Sequence, residues 1–472
     1  MLIARNRESQ ELLSAYQSEE SKFIAIYGRR RIGKKYLVRQ TFKGLFTFQH
    51  AGIFQGTTAE QLYEFCASLK EYGLEDFNRP ANWLEAFELL KDLIRDNTSE
   101  KKVIFIDELS WMDSGHSDLM KALESFWNGW ASARDDILLI VCGSATSWML
   151  NKVVHNKGGL YNRLSLQIEL EPFSLKECAE YASSTGLVMN HHQLLEACMI
   201  FGGVPYYWSL LTKERSLSQN VDLLLFDKKA PLKNEFQYLY ASVFKRPEPY
   251  IAIIRTLGTK KAGMTREELL VSTHQTNSGG FSARLDELES CGFIRKYYEF
   301  GKKKKNALYQ LIDNFTLFWF KFMEIRPNDI HFWQNQTNMP ARNAWAGLAF
   351  ERVCLQHVDQ IKNALGISGV LTNVCSWSCK ADVENGINGS QIDLLIDRKD
   401  QVINLCEMKY STQEYAISRE TDEKLRHKRN DFMNVTKTKS AVHLTLVTTY
   451  GLVSNSYAGN IQSVITAEDL FQ

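Results

Sequence analysis

Between Ser21 and about Glu169, short apolar runs alternate with longer stretches of helical patterning, which predicts a parallel β-sheet covered by helices. Phe23-Ile24-Ala25-Ile26-Tyr27, Val103-Ile104-Phe105-Ile106 and the run from Ile137 to Cys142 have the continuous apolarity of strands buried on both faces. The stretch from Lys34 to Gln40 reads as the helix after the first of them. Strand patterns stop after Ile168-Glu169-Leu170-Glu171-Pro172-Phe173, and helical patterns run from Ser174 to about Phe226. Gly202-Gly203-Val204-Pro205-Tyr206-Tyr207 interrupts them, with glycines that permit a turn and a proline suited to start the next helix.

From about Pro249 to Asp313 the pattern changes to helices followed by a hairpin. Met264-Thr265-Arg266-Glu267-Glu268 is a capped helix start, and Ser278 to Cys291 is a candidate recognition helix. Phe293 to Phe300 then pairs with Ala307 to Ile312 across Gly301-Lys302-Lys303-Lys304-Lys305, the outline of a winged helix with lysines at the wing tip. Such a tip is either a solvated turn or a contact to a phosphate backbone, which needs charge but no special geometry. The segment Phe315-Thr316-Leu317-Phe318-Trp319-Phe320-Lys321-Phe322 predicts a buried aromatic helix, and residues from about Ala341 onward predict a last α/β unit.

At 472 residues the chain is too long for one core. Its 56 Lys+Arg nearly balance 55 Asp+Glu, so any nucleic-acid contact must be local. The charged start Met1-Leu2-Ile3-Ala4-Arg5-Asn6-Arg7-Glu8 is unlike a signal peptide, and no apolar run is long enough to span a bilayer; the expectation is a cytoplasmic protein without a membrane partner. The 9 cysteines are scattered, without CxxC pairs or zinc spacing, and are expected to be reduced and mostly buried.

The chemistry begins after the first strand. Gly28-Arg29-Arg30-Arg31-Ile32-Gly33-Lys34-Lys35 is a phosphate-binding loop, complete but for its last position. Its glycines let the backbone N–H groups turn toward phosphate oxygens, while the helix start and Lys34 supply positive charge, so a nucleoside triphosphate is the expected ligand. Asp107-Glu108, at the end of the second apolar run, looks like a Walker B pair, with Asp107 holding Mg²⁺ and Glu108 polarising the attacking water. Ser144, after the third run, stands where a polar group could sense the γ-phosphate. One position departs: Lys35 replaces the Ser or Thr whose hydroxyl ligates Mg²⁺, and an ammonium there either repels the metal or replaces part of its charge.

A second constellation lies near the C-terminus. Gln391-Ile392-Asp393-Leu394-Leu395-Ile396-Asp397 and Val402-Ile403-Asn404-Leu405-Cys406-Glu407-Met408-Lys409 read as two strands joined by a turn. Glu407 and Lys409, two apart, project to one strand face; Asp393 joins them from its neighbour, and Glu351 can add a carboxylate from the helix containing Gly347-Leu348-Ala349-Phe350-Glu351. Carboxylates suit Mg²⁺ or Mn²⁺, here Asp393 and Glu407 in particular, and a lysine beside them can orient the water for phosphodiester hydrolysis. The set resembles the restriction-endonuclease-like, PD-(D/E)XK, site; the bland reading is a surface hairpin with an ion pair.

In order, these pieces resemble the archaeal-type AAA ATPases of the STAND-like branch, with a winged helix and a nuclease-like C-terminal domain. The resemblance rests on Gly28 to Lys34, Ile106-Asp107-Glu108, Gly143-Ser144, Tyr161-Asn162-Arg163, Pro172-Phe173, Gly202-Gly203-Val204-Pro205, Phe350-Glu351, Gln391-Ile392-Asp393 and Glu407-Met408-Lys409. It implies an α/β fold with a P-loop ATPase core at 1–173, a helical lid at 174–245, a winged helix with the aromatic bridge at 246–325 and a restriction-endonuclease-like domain at 326–472. It implies ATP with Mg²⁺ as cofactors, Arg163 as a trans-acting arginine that couples hydrolysis to a nucleotide-dependent homo-oligomer, and Pro205 near the adenine. Asn162 departs from the glycine usual there. The function expected is an ATP-binding switch with slow hydrolysis, acting on nucleic acid, DNA ahead of RNA. The alternative is a non-catalytic, nucleotide-stabilised scaffold with both sites degenerate.

Overall fold

A computed structural model describes every residue except 1, 115–116, 157, 245, 303–306, 326, 383 and 385–386. The chain forms two compact units, Met1–Pro172 and Phe173–Gln472.

The first unit is built on β1 (Lys22–Tyr27), β2 (Phe46–Ala51), β3 (Lys102–Asp107), β4 (Ile137–Gly143) and β5 (Leu166–Glu169), all parallel in the order β2-β3-β4-β1-β5. Side chains alternate between the two faces of β1. Phe23, Ala25 and Tyr27 pack with residues of α3 (Thr58–Glu71), α4 (Trp83–Asp96) and the helix Leu119–Gly129, while Ile24 and Ile26 pack with residues of α1 (Asn6–Tyr16) and α2 (Lys34–Thr41). Both faces are therefore dry, which is why these strands lack polar alternation. A fully buried Phe such as Phe65 or Phe87 contributes about 2–3 kcal/mol by leaving water. Register pairs Tyr27 with Gly143 and Ile106 with Val141, so the chain leaves β1, β3 and β4 at one edge of the sheet. That carboxyl edge is where parallel α/β sheets place ligands.

The second unit opens with helices at Leu175–Thr185 and His191–Phe201, started by capping boxes of Ser174 with Glu177 and Asn190 with Gln193. Between the second and the short helix Pro205–Trp208, Gly203 passes so close to Phe173 that a Cβ would lie 1.9 Å from its carbonyl oxygen. Helices at Glu248–Gly258, Arg266–Thr273 and Gly279–Ser290 adjoin a small antiparallel sheet of β6 (Met264–Thr265), β7 (Ile294–Tyr297) and β8 (Leu308–Leu311), ordered β6-β8-β7. The hairpin strands are shorter than the sequence suggests, and Lys303, Lys304 and Lys305 lie outside the described residues.

The aromatic segment is helical from Asn314 to Phe318 and widens into a π-type turn at Trp319–Met323, with Phe315, Phe318, Trp319 and Phe322 buried. Trp333 and Trp345 close edge-on around Phe318 and Phe322. Last comes a mixed sheet of β9 (Thr372–Cys379), β10 (Ser390–Arg398), β11 (Val402–Lys409), β12 (Ala441–Thr448) and β13 (Ser463–Thr466), ordered β13-β12-β11-β10-β9. β10 runs antiparallel to β9 and β11, whereas β11, β12 and β13 are parallel. The helices Pro340–Gln356 and Arg419–Thr436 belong to this region.

Candidate functional site

The loop from Gly28 to Gly33 needs its glycines for different reasons. Gly28 has φ 134°, and a Cβ there would lie 2.2 Å from the Leu170 carbonyl oxygen. Gly33 caps α2 in the left-handed region at φ 89°, with open space around it, so the backbone turn rather than crowding selects glycine. Arg31, at φ 71°, shares that region without being glycine, a local strain of the kind that clusters at ligand sites. Lys34 is only 6% exposed, and its ammonium donates to the carbonyls of Gly28 (2.8 Å) and Arg29 (2.9 Å). The loop is thereby curled around its own lysine at the start of α2, where the helix N-terminus adds positive potential.

Asp107 ends β3 and is 6% exposed. Its Oδ1 accepts from the Glu108 N–H at 3.0 Å and from the Cys142 thiol at 2.7 Å. Burial first, and Asp107 second, push the Cys142 thiol far above its ordinary pKa, so it stays protonated and serves as a donor. The other oxygen, Oδ2, faces the Lys35 ammonium at 3.5 Å. Glu108 sits in the left-handed region at φ 49°, and its Oε2 accepts from both the backbone N–H (2.9 Å) and the hydroxyl (2.8 Å) of Ser144. Asp107, Glu108 and Ser144 thus come from the adjacent ends of β3 and β4, and Lys34 and Lys35 from the start of α2, across the loop that follows β1.

A cavity of about 210 Å³ opens beside this group, lined by Lys35, Arg39, His50, Ser68, Tyr72 and Asp107 among others. His50, 5% exposed, shares a 2.9 Å hydrogen bond with Ser68 through Nδ1, and burial lowers its pKa to about 4, keeping it neutral. His50 carries no sequence signal, because its segment mixes apolar and polar positions, and Cys142 reads only as the end of an apolar run.

The donor set fits Mg²⁺ poorly. The ion wants oxygen ligands in a tight octahedron, but the position that should offer a hydroxyl carries Lys35, whose ammonium already faces Asp107 Oδ2. Elsewhere in the first unit, Arg163 is exposed after Asn162, which has φ 53°. Pro205 begins its short helix in the second unit.

In the C-terminal region the sequence-derived residues fall into two ion clusters. Lys261, from the turn before β6, reaches Glu351 at 2.7 Å and Asp393 at 3.2 Å. Burial opposes the charge of Lys261, but Asp393 and Glu351 outweigh it and raise its pKa; at Glu351 burial outweighs Lys261, and that pKa is raised too. Asp393 lies where β10 shifts register against β9, between Ile392 and Leu395. In the other cluster Glu407 is held between Lys409 (2.8 Å) and Lys428 (2.7 Å). Burial works against its ionisation, yet the two lysines win and hold its pKa below the ordinary value. Glu407 and Lys409 do share a strand face, and the charge of Glu351 reaches Lys409. Lys261 and Lys428, which complete these clusters, carry no local sequence signal. Among the described residues no group of three His, Cys, Asp or Glu is placed to hold a metal ion.

A parallel sheet whose strand β1 runs into a Gly-x₄-Gly-Lys loop, with an Asp-Glu pair at the same edge, defines a P-loop ATPase domain. Residues 2–210 match the model of a family described as an ATPase domain predominantly from Archaea, and the chain carries an ATPase domain of that archaeal type. Over 412 residues the chain is 22% identical to a protein of Methanocaldococcus jannaschii, covering 84% of each. It is also similar to the Walker-type ATPase of Pyrococcus abyssi (16% identity, 67% of this chain and 95% of that one, TM-score 0.48). A further similar structure is the ORC2 protein of Aeropyrum pernix (15% identity, 76% and 96%, TM-score 0.42), solved as ADPNP-ADP complexes. Among the described residues no helix is long and apolar enough to cross a membrane.

Proposed function

We propose that this protein is an ATP-binding switch whose ATPase domain turns over slowly and whose second unit engages nucleic acid. The observation that carries the nucleotide reading is the placement of Lys34 at the start of α2, inside a loop curled by Gly28 and Gly33, with the next residue, Lys35, facing Asp107. In this reading the loop N–H groups and Lys34 hold the β- and γ-phosphates, Glu108 polarises the attacking water, and Ser144 fixes the orientation of Glu108 through two hydrogen bonds. Mg²⁺, the usual companion of Asp107 in such sites, would neutralise phosphate charge; Lys35 competes for the same carboxylate oxygen. Exposed Arg163 is assigned to a neighbouring copy's γ-phosphate, which would tie turnover to assembly. Calorimetric ATP titration, with turnover measured on the same preparation, tests the reading.

The segment from Glu248 to Leu311, with its helices and the β6-β8-β7 sheet, supports a winged helix. Its helix Gly279–Ser290 carries Asp286, Glu287 and Glu289 against Arg284, a balance unsuited to lying along phosphates. DNA contact is therefore assigned to the wing lysines Lys302 to Lys305. The mixed sheet with Glu351, Asp393, Glu407 and Lys409 supports a restriction-endonuclease-like domain. Here a specific observation favours the degenerate alternative: Lys261 and Lys428 already neutralise the carboxylates a metal would need. We assign this domain a binding role and expect no cleavage of labelled DNA in Mn²⁺; cleavage abolished by Asp393→Ala would reverse the assignment.

A further inference from the structure

We infer that the Lys35 ammonium takes the place of the divalent cation in this P-loop site, so that the protein binds ATP without needing Mg²⁺. The inference deepens the nucleotide reading above and rests on it.

Asp107 is the residue that should answer to the metal. Three donors of this chain surround it: Oδ1 takes the Glu108 N–H and the Cys142 thiol, and Oδ2 faces the Lys35 ammonium at 3.5 Å. Cys142 is fully buried against this oxygen, with its sulfur 2.7 Å away. A metal that recruited Asp107 would have to displace an ammonium that is tethered by its own backbone one residue beyond Lys34. The hydroxyl that would compensate the displacement is missing from the chain at position 35.

The charge supply points the same way. Metal-free ATP is more anionic than its Mg²⁺ complex, and a site that binds it must bring extra fixed cations. This loop has Arg29, Arg30, Arg31, Lys34 and Lys35 within its span, against the carboxylates Asp107 and Glu108. Lys35 is 44% exposed at its side chain, so it can face solvent-borne phosphate and Asp107 together, and the polar cavity beside it leaves the ammonium room to adjust. A lysine is a compact point charge on a flexible stem, suited to this substitution as a planar guanidinium is not. Coordination chemistry is lost in the exchange: an ammonium donates hydrogen bonds but does not polarise a phosphoryl oxygen as Mg²⁺ does. Tight binding with slow turnover is the consequence.

The test is calorimetric titration of the full-length chain with ATP, once with excess Mg²⁺ and once with EDTA, for the wild type, Lys35→Thr and Lys35→Gln. The wild-type affinity is expected to differ by less than about fivefold between the two conditions. Lys35→Thr is expected to lose at least about tenfold in EDTA and to recover it with Mg²⁺, and Lys35→Gln to lose as much in EDTA without that recovery. Wild-type binding that weakens more than about fivefold in EDTA overturns the inference while leaving the nucleotide site intact. So does Lys35→Thr behaving alike in both conditions. Absence of ATP binding in both conditions overturns the nucleotide reading itself. Circular dichroism on each variant separates these outcomes from misfolding.

Discussion

At the scale of single residues, the proposed site divides into groups assigned to binding and groups assigned to reaction. Glu108, held by Ser144 rather than by the loop, is assigned to the second kind. Glu108→Gln keeps the shape and the acceptor oxygen but removes the negative charge. ATP affinity should stay within about threefold of wild type while steady-state phosphate release falls by about two orders of magnitude or more, and equal turnover in the two proteins would remove Glu108 from the reaction. His50 gives a separate handle through pH. Its folded pKa, near 4, lies below the unfolded value, so the unfolded state binds more protons between those limits. The stability it contributes is present at neutral pH and is lost as pH falls from about 6.5 to 4, amounting to about 3 kcal/mol in all. His192 and His357 are shifted down by burial as well, so the diagnostic is the difference between wild type and His50→Gln in denaturant midpoints over this range. Identical pH dependence would mean that His50 is not neutral in the folded protein.

At the scale of elements, sequence reading succeeds where one physical cause dominates. β1, β3 and β4 are dry on both faces and announce themselves as apolar runs, and the helix started by Thr265 announces itself by its capping box with Glu268. β2 escapes notice because Phe46-Thr47-Phe48-Gln49-His50-Ala51 mixes apolar and polar positions, and the buried His50 finds its Nδ1 partner only in distant Ser68. The ion clusters escape for a related reason: Lys261 is far in sequence from Glu351 and Asp393, and only the fold brings them together. Replacing it tests what it does there. In Lys261→Met the two carboxylates lose their common cation, so Mn²⁺ should raise the variant's melting temperature while leaving the wild type unchanged; no difference between them would make Lys261 an ordinary structural ion pair. The glycine of the phosphate loop offers a steric test. Gly28→Ala places a methyl group 2.2 Å from the Leu170 carbonyl oxygen at a φ that L residues avoid. It should cost about 3 kcal/mol or more, a fall of roughly 6–12 °C in the first unit's melting temperature, and an unchanged melting curve would mean the loop relaxes freely.

At the scale of the whole molecule, the near balance of charge confines the proposed nucleic-acid binding to a local patch, and Lys302 to Lys305 are the densest run of cations in the sequence. Neutralising Lys302 to Lys305 together should flatten the salt dependence of DNA binding by about 0.9 in log–log slope for each phosphate that the wing no longer neutralises, similarly across sequences. An unaltered slope would leave the wing as solvated surface. The direct measurement is an ATP titration by calorimetry of the full-length wild type beside Lys34→Ala. The account predicts saturable binding by the wild type and a loss of at least about tenfold in the folded variant, because the charge held at the Gly28 and Arg29 carbonyls is gone. Equal affinity in the two proteins, or no binding by the wild type, would contradict it.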